Sequence, residues 1–241
     1  MIGVGKVPAN GEHAVRAVGR ASALIAAGCY SLWLLEFGLA TGLSPTLSFV
    51  SELSAADQPY AGLFSAADRA AGVLAALAAV CGVLTGERGC WHLVAWLGLA
   101  GFGLATTADS FLPMDCAVSA DAVCASAETA GALSAVHTWH AVSSSLAGTM
   151  ALVGAAGMAI ALRPSGGPRF LVAAAVFGVQ AVAMIVVLLL LAVGAGQPVE
   201  GFGVAQRVQI VGVAAWLVCV VCLPGVWGGG ASGTGGGPAP G

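Results

Sequence analysis

Six long apolar stretches, separated by short polar or glycine-rich segments, make up most of this 241-residue chain. A run of about 20 apolar residues is long enough to cross the hydrocarbon core of a bilayer as a helix. The pattern therefore predicts an all-α, polytopic membrane protein with six transmembrane helices. We place these helices at residues 21–41, 66–85, 90–109, 137–162, 170–193 and 205–226.

The composition agrees with this fold class. Hydrophobic residues make up 59% of the chain and charged residues 8%, whereas about a quarter of the residues in an ordinary soluble domain are charged. The net charge is −3 and no basic patch is present, so nucleic acid is not expected as a partner. Residues 1–20 are predicted to be an N-terminal cytoplasmic segment, 21–226 the membrane domain, and 227–241 a disordered Gly/Pro-rich tail.

Charged residues are divided between the two ends of the predicted helices. Six of the eight bases precede helix 1 or lie in the connections after helices 2 and 4, whereas Arg69 and Arg207 lie at the opposite ends of the helices. Most acids lie in the other connections or at their helix ends. Because basic residues mark the cytoplasmic side, we expect both termini in the cytoplasm of a multi-pass cell-membrane protein. The bases concerned are Lys6, Arg16, Arg20, Arg88, Arg163 and Arg169.

The two predicted outer connections, 42–65 and 110–136, are long. Connections of that length in a compact domain are functional or disordered, and their mixed sequences favour ordered, lid-like loops. Cys116 and Cys124 share the second connection. An oxidising compartment on that side would permit a disulfide between them.

Glu36 is the first candidate site residue, because it lies within the first apolar stretch. An ionised carboxyl at that depth is costly, so Glu36 is expected to be protonated, paired or facing a polar cavity. Tyr30, Trp33 and Phe37 are near it at helical spacing and could line the same pocket. The alternative is an interfacial Glu that reaches the headgroups.

Other candidates lie at the same predicted level. Asp68 begins helix 2, although an acid near a helix N-terminus is also favoured by the macrodipole, and Asp115 follows helix 3. His137 and His140 share one face of helix 4 and could bind zinc with nearby carboxylates, although such pairs more often make hydrogen bonds; we assign no metal. Arg207 begins helix 6 and could hold a carboxylate or a phosphate.

The motifs SP…VSEL…PYAGLF…D, FLPMDC…C…VH and QR, between Ser44 and Arg207, resemble a bacterial family of six-helix membrane proteins of unknown function. The chain also looks like small actinobacterial membrane proteins that cyclise prenylated natural products such as farnesylated indoles and diketopiperazines. Its Ala/Gly/Val-rich composition is typical of a high-GC actinobacterium. The second resemblance implies a greasy prenylated small molecule as partner, besides the lipid bilayer.

An acid-initiated cyclase needs a neutral carboxylic acid and aromatic faces that stabilise a cation. Glu36 or Asp115 would be the acid, tuned by Asp68 and His140, and no cofactor is expected. The remaining candidates would bind the substrate: Tyr30, Trp33, Phe37, Phe102, His137, Trp139 and Arg207.

Two other functions remain open. Ser51, Asp68, His137 and His140 faintly resemble the alkaline ceramidase type of metal-dependent membrane hydrolase, but the chain lacks the expected third His. A non-enzymatic membrane protein, either lipid-binding or stabilising a complex, would need nothing beyond the fold.

Overall fold

A computed structural model describes residues 9–227, and these residues form α-helices, short 3₁₀ turns and loops without any strand. Six of the α-helices are long and apolar enough to cross a membrane, so the predicted all-α fold with six membrane helices is confirmed. Which side each terminus faces stays a prediction. The helices are α1 (Ala9–Tyr30), α2 (Ala61–Thr85), α3 (Cys90–Asp109), the short α4 (Ala122–Thr129), α5 (Ala135–Leu162), α6 (Gly167–Val193) and α7 (Phe202–Cys222).

The first helix differs most from its predicted bounds. It begins at Ala9, so much of the predicted N-terminal segment is helical, and it ends at Tyr30 rather than near residue 41. Ser31 Oγ donates to the Ala27 carbonyl, and the Ser31 amide donates to Gly28 three residues back. Such a tightened turn ends an α-helix in a 3₁₀ conformation. The following turn, Leu32–Phe37, carries Glu36 outside α1.

The six long helices form a closed ring. Along the chain α1 packs against α2, α2 against α3, α3 against α5, α5 against α6 and α6 against α7, and α7 returns to α1. We call the end where α1, α3 and α6 finish the acidic end. The opposite end, which carries the connections α2–α3 and α5–α6, is the basic end.

Small residues hold the ring together, as is usual for membrane helices. Gly98 of α3 faces Gly154 of α5 so closely that a Cβ on Gly98 would lie 2.4 Å from the Gly154 Cα atom. Trp216 of α7 is fully buried and fills the centre of the ring, with its ring centroid 6.1 Å from that of Phe102. The basic half of the bundle is therefore closely packed.

The predicted tail begins one residue too early. Trp227 is buried, its indole Nε1 donates to the Val220 carbonyl at 2.5 Å, and its ring lies 4.9 Å from that of Trp96. A large aromatic ring gains more from burial in the bundle than from exposure, which explains the error. Residues 228–241 of the predicted disordered tail lie outside the described residues.

The two long connections at the acidic end are folded against the helices, and we call residues 38–60 and 110–134 the cap. The amide of Ala56 donates to the Met114 carbonyl at 2.8 Å, which joins the two connections. The amide of Val50 donates to Gln206 Oε1 at 2.7 Å, which joins the cap to α7. A disulfide links Cys116 and Cys124, so the predicted bond is confirmed.

Candidate functional site

A cavity of about 120 Å³ lies at the acidic end of the ring, below the cap. Residues of α1, α2, α3, α5 and α7 line it. Two 3₁₀ turns also contribute: Leu32–Phe37, which follows α1, and Val50–Ser54, which lies in the cap. This is the end where the sequence predicts a site. The polar side chains that line the cavity are those of Cys29, Tyr30, Ser51, Asp68, Thr106, Asp109, Ser144, Gln206 and Gln209.

Asp109, the last residue of α3, is held by donors from α5. Ser143 Oγ donates to Asp109 Oδ1, and Ser144 Oγ lies 3.0 Å and 3.1 Å from the two carboxyl oxygens. His140 Nδ1 lies 3.2 Å from Asp109 Oδ1 and donates to the Leu112 carbonyl at 2.8 Å. Three side chains of α5 therefore fix the position of the Asp109 carboxyl.

Asp68 is the second carboxyl on the cavity wall, about two turns into α2. Within residues 9–227 its carboxyl has no hydrogen-bond or ion-pair partner, and the Asp109 carboxyl and the Tyr30 hydroxyl line the same cavity. An ionisable side chain of this kind inside a membrane helix is costly and marks a functional site by default. The structure thus places Asp68 in the candidate site, as an acid that no other described residue holds by a hydrogen bond or an ion pair.

The aromatic candidates separate into two groups. Tyr30 and Trp33 line the cavity, and Phe102 packs edge-on behind Tyr30 with the ring centroids 5.2 Å apart. Phe37 and Trp139 are 65% and 60% exposed on the outside of the bundle. The expected aromatic wall therefore loses these two residues, because their helical positions point toward the surrounding lipid.

Glu36 and Arg207 bind each other rather than a ligand. Both are buried, and Arg207 donates from Nε to Glu36 Oε1 at 2.7 Å and from Nη2 to Oε2 at 2.5 Å. Arg207 Nη1 also donates to the carbonyls of Ser48 and Gly203. The paired alternative for Glu36 is therefore the one found, and a carboxylate locked in a bidentate ion pair does not serve as a proton donor.

Asp115 lies in the cap and His137 in the first turn of α5, and neither is among the residues that line the cavity. Asp115 accepts from the amide and the hydroxyl of Ser134, and these bonds lower the pKa of its carboxyl below the usual range. His137 Nδ1 accepts from the Asp115 amide, and its Nε2 lies 3.4 Å from Glu128 Oε1. Asp115 is thus an anchor for the start of α5, which corrects its candidacy as the acid.

The two histidines on α5 therefore have different partners, although their spacing suggests a shared ligand. Ser51 and Asp68 reach the cavity, whereas His137 is engaged with the cap. Across the described part of the chain, no three His, Cys, Asp or Glu side chains are grouped so that they could hold a metal ion. The constellation proposed for a metal-dependent hydrolase is not assembled.

Asp109 and Glu52 are important polar residues that the sequence analysis did not assign. Asp109 resembles an ordinary acid at a helix end, and only its position opposite Ser143 and Ser144 reveals its environment. Glu52 is 0% exposed within the cap and accepts from the amide and the hydroxyl of Ser119. Burial raises the pKa of its carboxyl, against the effect of these hydrogen bonds.

The arrangement can move a proton. One carboxyl, Asp68, faces the cavity without a partner among residues 9–227, and a second, Asp109, is fixed beside it by hydrogen bonds. Two carboxyls in unlike environments divide the roles of acid and base between them. The remaining wall is divided between polar side chains and apolar or aromatic ones, so it suits a ligand that has a hydrophobic part and a polar group.

Comparison with known proteins gives a family for the chain. No curated protein and no solved structure matches it. A family described as a protein of unknown function, DUF998, matches residues 23–223, which include the last turns of α1, the other five long helices and the cap. The chain therefore belongs to the DUF998 family.

Proposed function

We propose that this protein is a membrane-embedded terpenoid cyclase that protonates the terminal alkene or epoxide of a prenylated small molecule. The observation that carries the proposal is the carboxyl of Asp68, which has no partner in the described part of the chain and faces a cavity beside the hydrogen-bonded carboxyl of Asp109. Asp68 takes the role of the acid in place of Glu36 and Asp115, since each of those is engaged elsewhere.

The reaction needs no redox partner. Asp68 transfers its proton to the terminal alkene, so a C–H bond forms and the π electrons leave a tertiary cation at the neighbouring carbon. Internal alkenes of the same chain then attack this cation and close the rings. Loss of a proton from the last cation restores an alkene. Asp109, on the same cavity wall, is the base that accepts this proton. Acid and base are both returned to their starting states once the proton passes back to Asp68.

The wall of the cavity suits a travelling positive charge. Tyr30, Trp33 and Phe64 contribute aromatic rings to it, and the faces of such rings attract cations within about 6 Å. Phe102 supports the ring of Tyr30 from behind at an interplanar angle of 88°. The aromatic residues therefore supply the second requirement of a cyclase after the acid.

The size of the cavity sets which part of the substrate enters it. A volume of about 120 Å³ corresponds to roughly ten water-sized spheres, which is enough for the reacting end of an isoprenoid. The rest of a farnesyl chain would remain in the lipid or between helices. A hydrophobic substrate can reach the protein from the bilayer, so a deep water-filled entrance is not required.

Conversion of a farnesylated indole by the full-length protein in membranes tests the proposal. Asp68→Asn should reduce cyclisation by about 10²–10⁴-fold, the usual contribution of general acid catalysis. Asp121→Asn is the matched control at the same end, because Asp121 only caps α4 through the Val123 amide and Asn caps equally well.

Two results would count against the proposal in different ways. Full cyclisation by the Asp68→Asn variant would show that Asp68 is not the acid. No conversion of any prenylated substrate by the wild-type protein would favour the non-enzymatic alternative.

A further inference from the structure

A serine, a histidine and an aspartate are in contact where α5 passes the end of α3. Ser144 Oγ lies 3.3 Å from His140 Nε2, and His140 Nδ1 lies 3.2 Å from Asp109 Oδ1. A serine, a base and an orienting acid joined in this order form the arrangement that activates the nucleophile of serine hydrolases. The proton transfers between Asp68 and Asp109 use neither the serine nor the histidine.

The surroundings of His140 determine which ring nitrogen carries the hydrogen. Nδ1 faces two oxygens, the Leu112 carbonyl at 2.8 Å and the Asp109 carboxyl, so Nδ1 is the donor. Nε2 of the neutral ring is then an acceptor, and the Ser144 hydroxyl lies within reach of it. His140 is therefore oriented as a base for Ser144, and Asp109 is in place to stabilise the imidazolium that forms.

The Ser144 hydroxyl is close to the Asp109 carboxyl as well as to the histidine. Its Oγ lies 3.0 Å and 3.1 Å from the two carboxyl oxygens. Ser143 also donates to this carboxyl, so the carboxyl keeps a donor when the Ser144 hydrogen turns to His140. That turn is a rotation of the O–H bond alone, and it needs no movement of the heavy atoms.

A second hydroxyl on the cavity wall that Ser144 lines has no partner. Thr106 is 5% exposed, and its Oγ1 makes no hydrogen bond among the described residues. Other helical threonines of this chain, Thr85, Thr107 and Thr149, donate to the carbonyl four residues back. A buried hydroxyl without a partner costs free energy, so the Thr106 hydroxyl is suited to an oxygen of a ligand.

Gln206 supplies another donor to the same wall. Its Oε1 accepts from the Val50 amide, which fixes the orientation of the carboxamide, so its Nε2 is the end that a ligand can meet. Donors of this kind stabilise the oxyanion that forms when a nucleophile adds to a carbonyl group. The cavity thus combines a nucleophile, a base and donors for a carbonyl oxygen.

We propose that Ser144 is the nucleophile of a second activity, the hydrolysis of carboxylic esters that carry a hydrocarbon chain. His140 is its base and Asp109 a positioning residue. The substrate class follows from the wall, which is divided between apolar and polar side chains and suits a chain that ends in an ester. This activity needs no metal ion and uses Ser144 rather than Ser51, so it differs from the metal-dependent hydrolase considered from the sequence.

The reaction balances with water as the only co-reactant. Ser144 Oγ bonds to the ester carbonyl carbon while its proton passes to His140 Nε2, and the π electrons move to the carbonyl oxygen, for which Thr106 supplies a donor. When the C=O bond forms again, the bond to the alkoxy oxygen breaks, and the alcohol leaves with the proton from Nε2. Water then adds to the acyl group on Ser144, returns a proton to Oγ through His140, and releases the carboxylic acid.

An alkyl fluorophosphonate tests the nucleophile on the full-length protein in nanodiscs. An activated serine displaces fluoride from phosphorus, and peptide mass spectrometry locates the stable adduct. We expect the adduct on Ser144, and His140→Gln should slow its formation by about 10²-fold or more, the usual contribution of a general base. Ser145→Ala is the matched control and should be labelled as wild type, because Ser145 is the next residue of α5 but is exposed and does not line the cavity.

Hydrolysis of p-nitrophenyl decanoate measures the complete reaction. Ser144→Ala should reduce the rate to that of empty nanodiscs, whereas Ser145→Ala should keep the wild-type rate. Asp109→Asn should lower kcat with little change in KM, because a carboxamide can donate to Nδ1 and favour the wrong tautomer of His140. Thermal unfolding of each variant shows that the protein remains folded during the assay.

The inference is overturned if the wild-type protein forms no adduct on Ser144, a result that does not depend on any variant. It is also overturned if His140→Gln is labelled at the wild-type rate or if folded Ser144→Ala hydrolyses the decanoate as fast as wild type. Its failure can be distinguished from that of the proposed function. A protein that is labelled on Ser144 but cyclises nothing loses only the cyclase assignment, whereas a cyclase without the adduct loses only the inference.

Discussion

The two ends of the bundle contain different types of residue in their interiors. At the basic end small residues allow close contact, as where α3 and α5 meet at Gly98 and Gly154, and Trp216 and Trp227 fill the remaining space. At the acidic end the interior contains the Glu36–Arg207 ion pair and the polar cavity around Asp68. Burying charge costs free energy in a membrane protein, whereas close packing of small residues stabilises it.

The buried polar groups at the acidic end are of two kinds: those with hydrogen-bond partners in the fold and those without. Glu36, Arg207 and Asp109 have hydrogen-bond partners that offset part of the cost of their burial. Asp68 has none among the described residues. A costly side chain without a structural partner is the kind that is retained for function at the expense of stability.

The largest expected effect on stability is at the ion pair. Arg207→Met should lower the free energy of unfolding by about 3–5 kcal/mol, because Glu36 would be left buried without its partner. The double variant Glu36→Leu with Arg207→Met should recover most of that loss. Thermal unfolding in detergent measures both. Equal stability of the single and double variants would show that the pair is not coupled as described.

A smaller loss is expected at the basic half of the ring. Gly98→Ala places a methyl group 2.4 Å from the Gly154 backbone, so α3 and α5 must separate, at a cost of about 1–3 kcal/mol. Gly178→Ala on α6 is the matched control, since no atom lies within 4 Å of its Cβ position. The comparison between the two ends would weaken if both alanine variants unfolded at the same temperature.

The smallest effect is a dependence on pH in the cap. Burial raises the pKa of the Glu52 carboxyl in the folded protein. The folded state therefore binds this proton more tightly than the unfolded state, and the stability that it contributes is present at low pH and lost as pH rises through the folded pKa. Glu52→Gln should stabilise the protein relative to wild type at high pH.

Midpoints of thermal unfolding measured from acidic to mildly alkaline pH check this dependence. The advantage of Glu52→Gln over wild type should shrink as the pH falls and Glu52 becomes protonated. Asp115 acts with the opposite sign, because the Ser134 hydrogen bonds lower its pKa and its contribution is lost at low pH. If the difference in unfolding midpoint between Glu52→Gln and wild type did not vary with pH, the raised pKa of the buried Glu52 carboxyl would be contradicted.

The architecture is largely visible in the sequence because apolar length and charge placement are local properties. The six spans, the second long connection and the Cys116–Cys124 bond follow from them. The end of α1 does not, since the tightened turn at Ser31 depends on hydrogen bonds rather than on hydropathy. The burial of Trp227 could not be predicted from the sequence, because it requires the assembled bundle.

The site could be predicted only in part. Asp68 is a candidate from the sequence, but only as an acid at the start of a helix. The role of Glu36 depends on Arg207, which lies 171 residues away. Trp139 could have been excluded, because residues two positions from His137 on a helix face the other side. Asp109 needed the structure, since its donors come from a different helix.

The most direct test of the central claim is the thermal unfolding of the Asp68→Asn variant beside that of Asp109→Asn. Asp109→Asn should destabilise the protein by about 1–3 kcal/mol, because the hydroxyls of Ser143 and Ser144 lose a carboxyl acceptor. Asp68→Asn should unfold at the wild-type temperature or above it, since Asp68 has no partner to lose within the described chain. An Asp68→Asn variant destabilised as much as Asp109→Asn would contradict the account, because Asp68 would then serve the fold rather than the site.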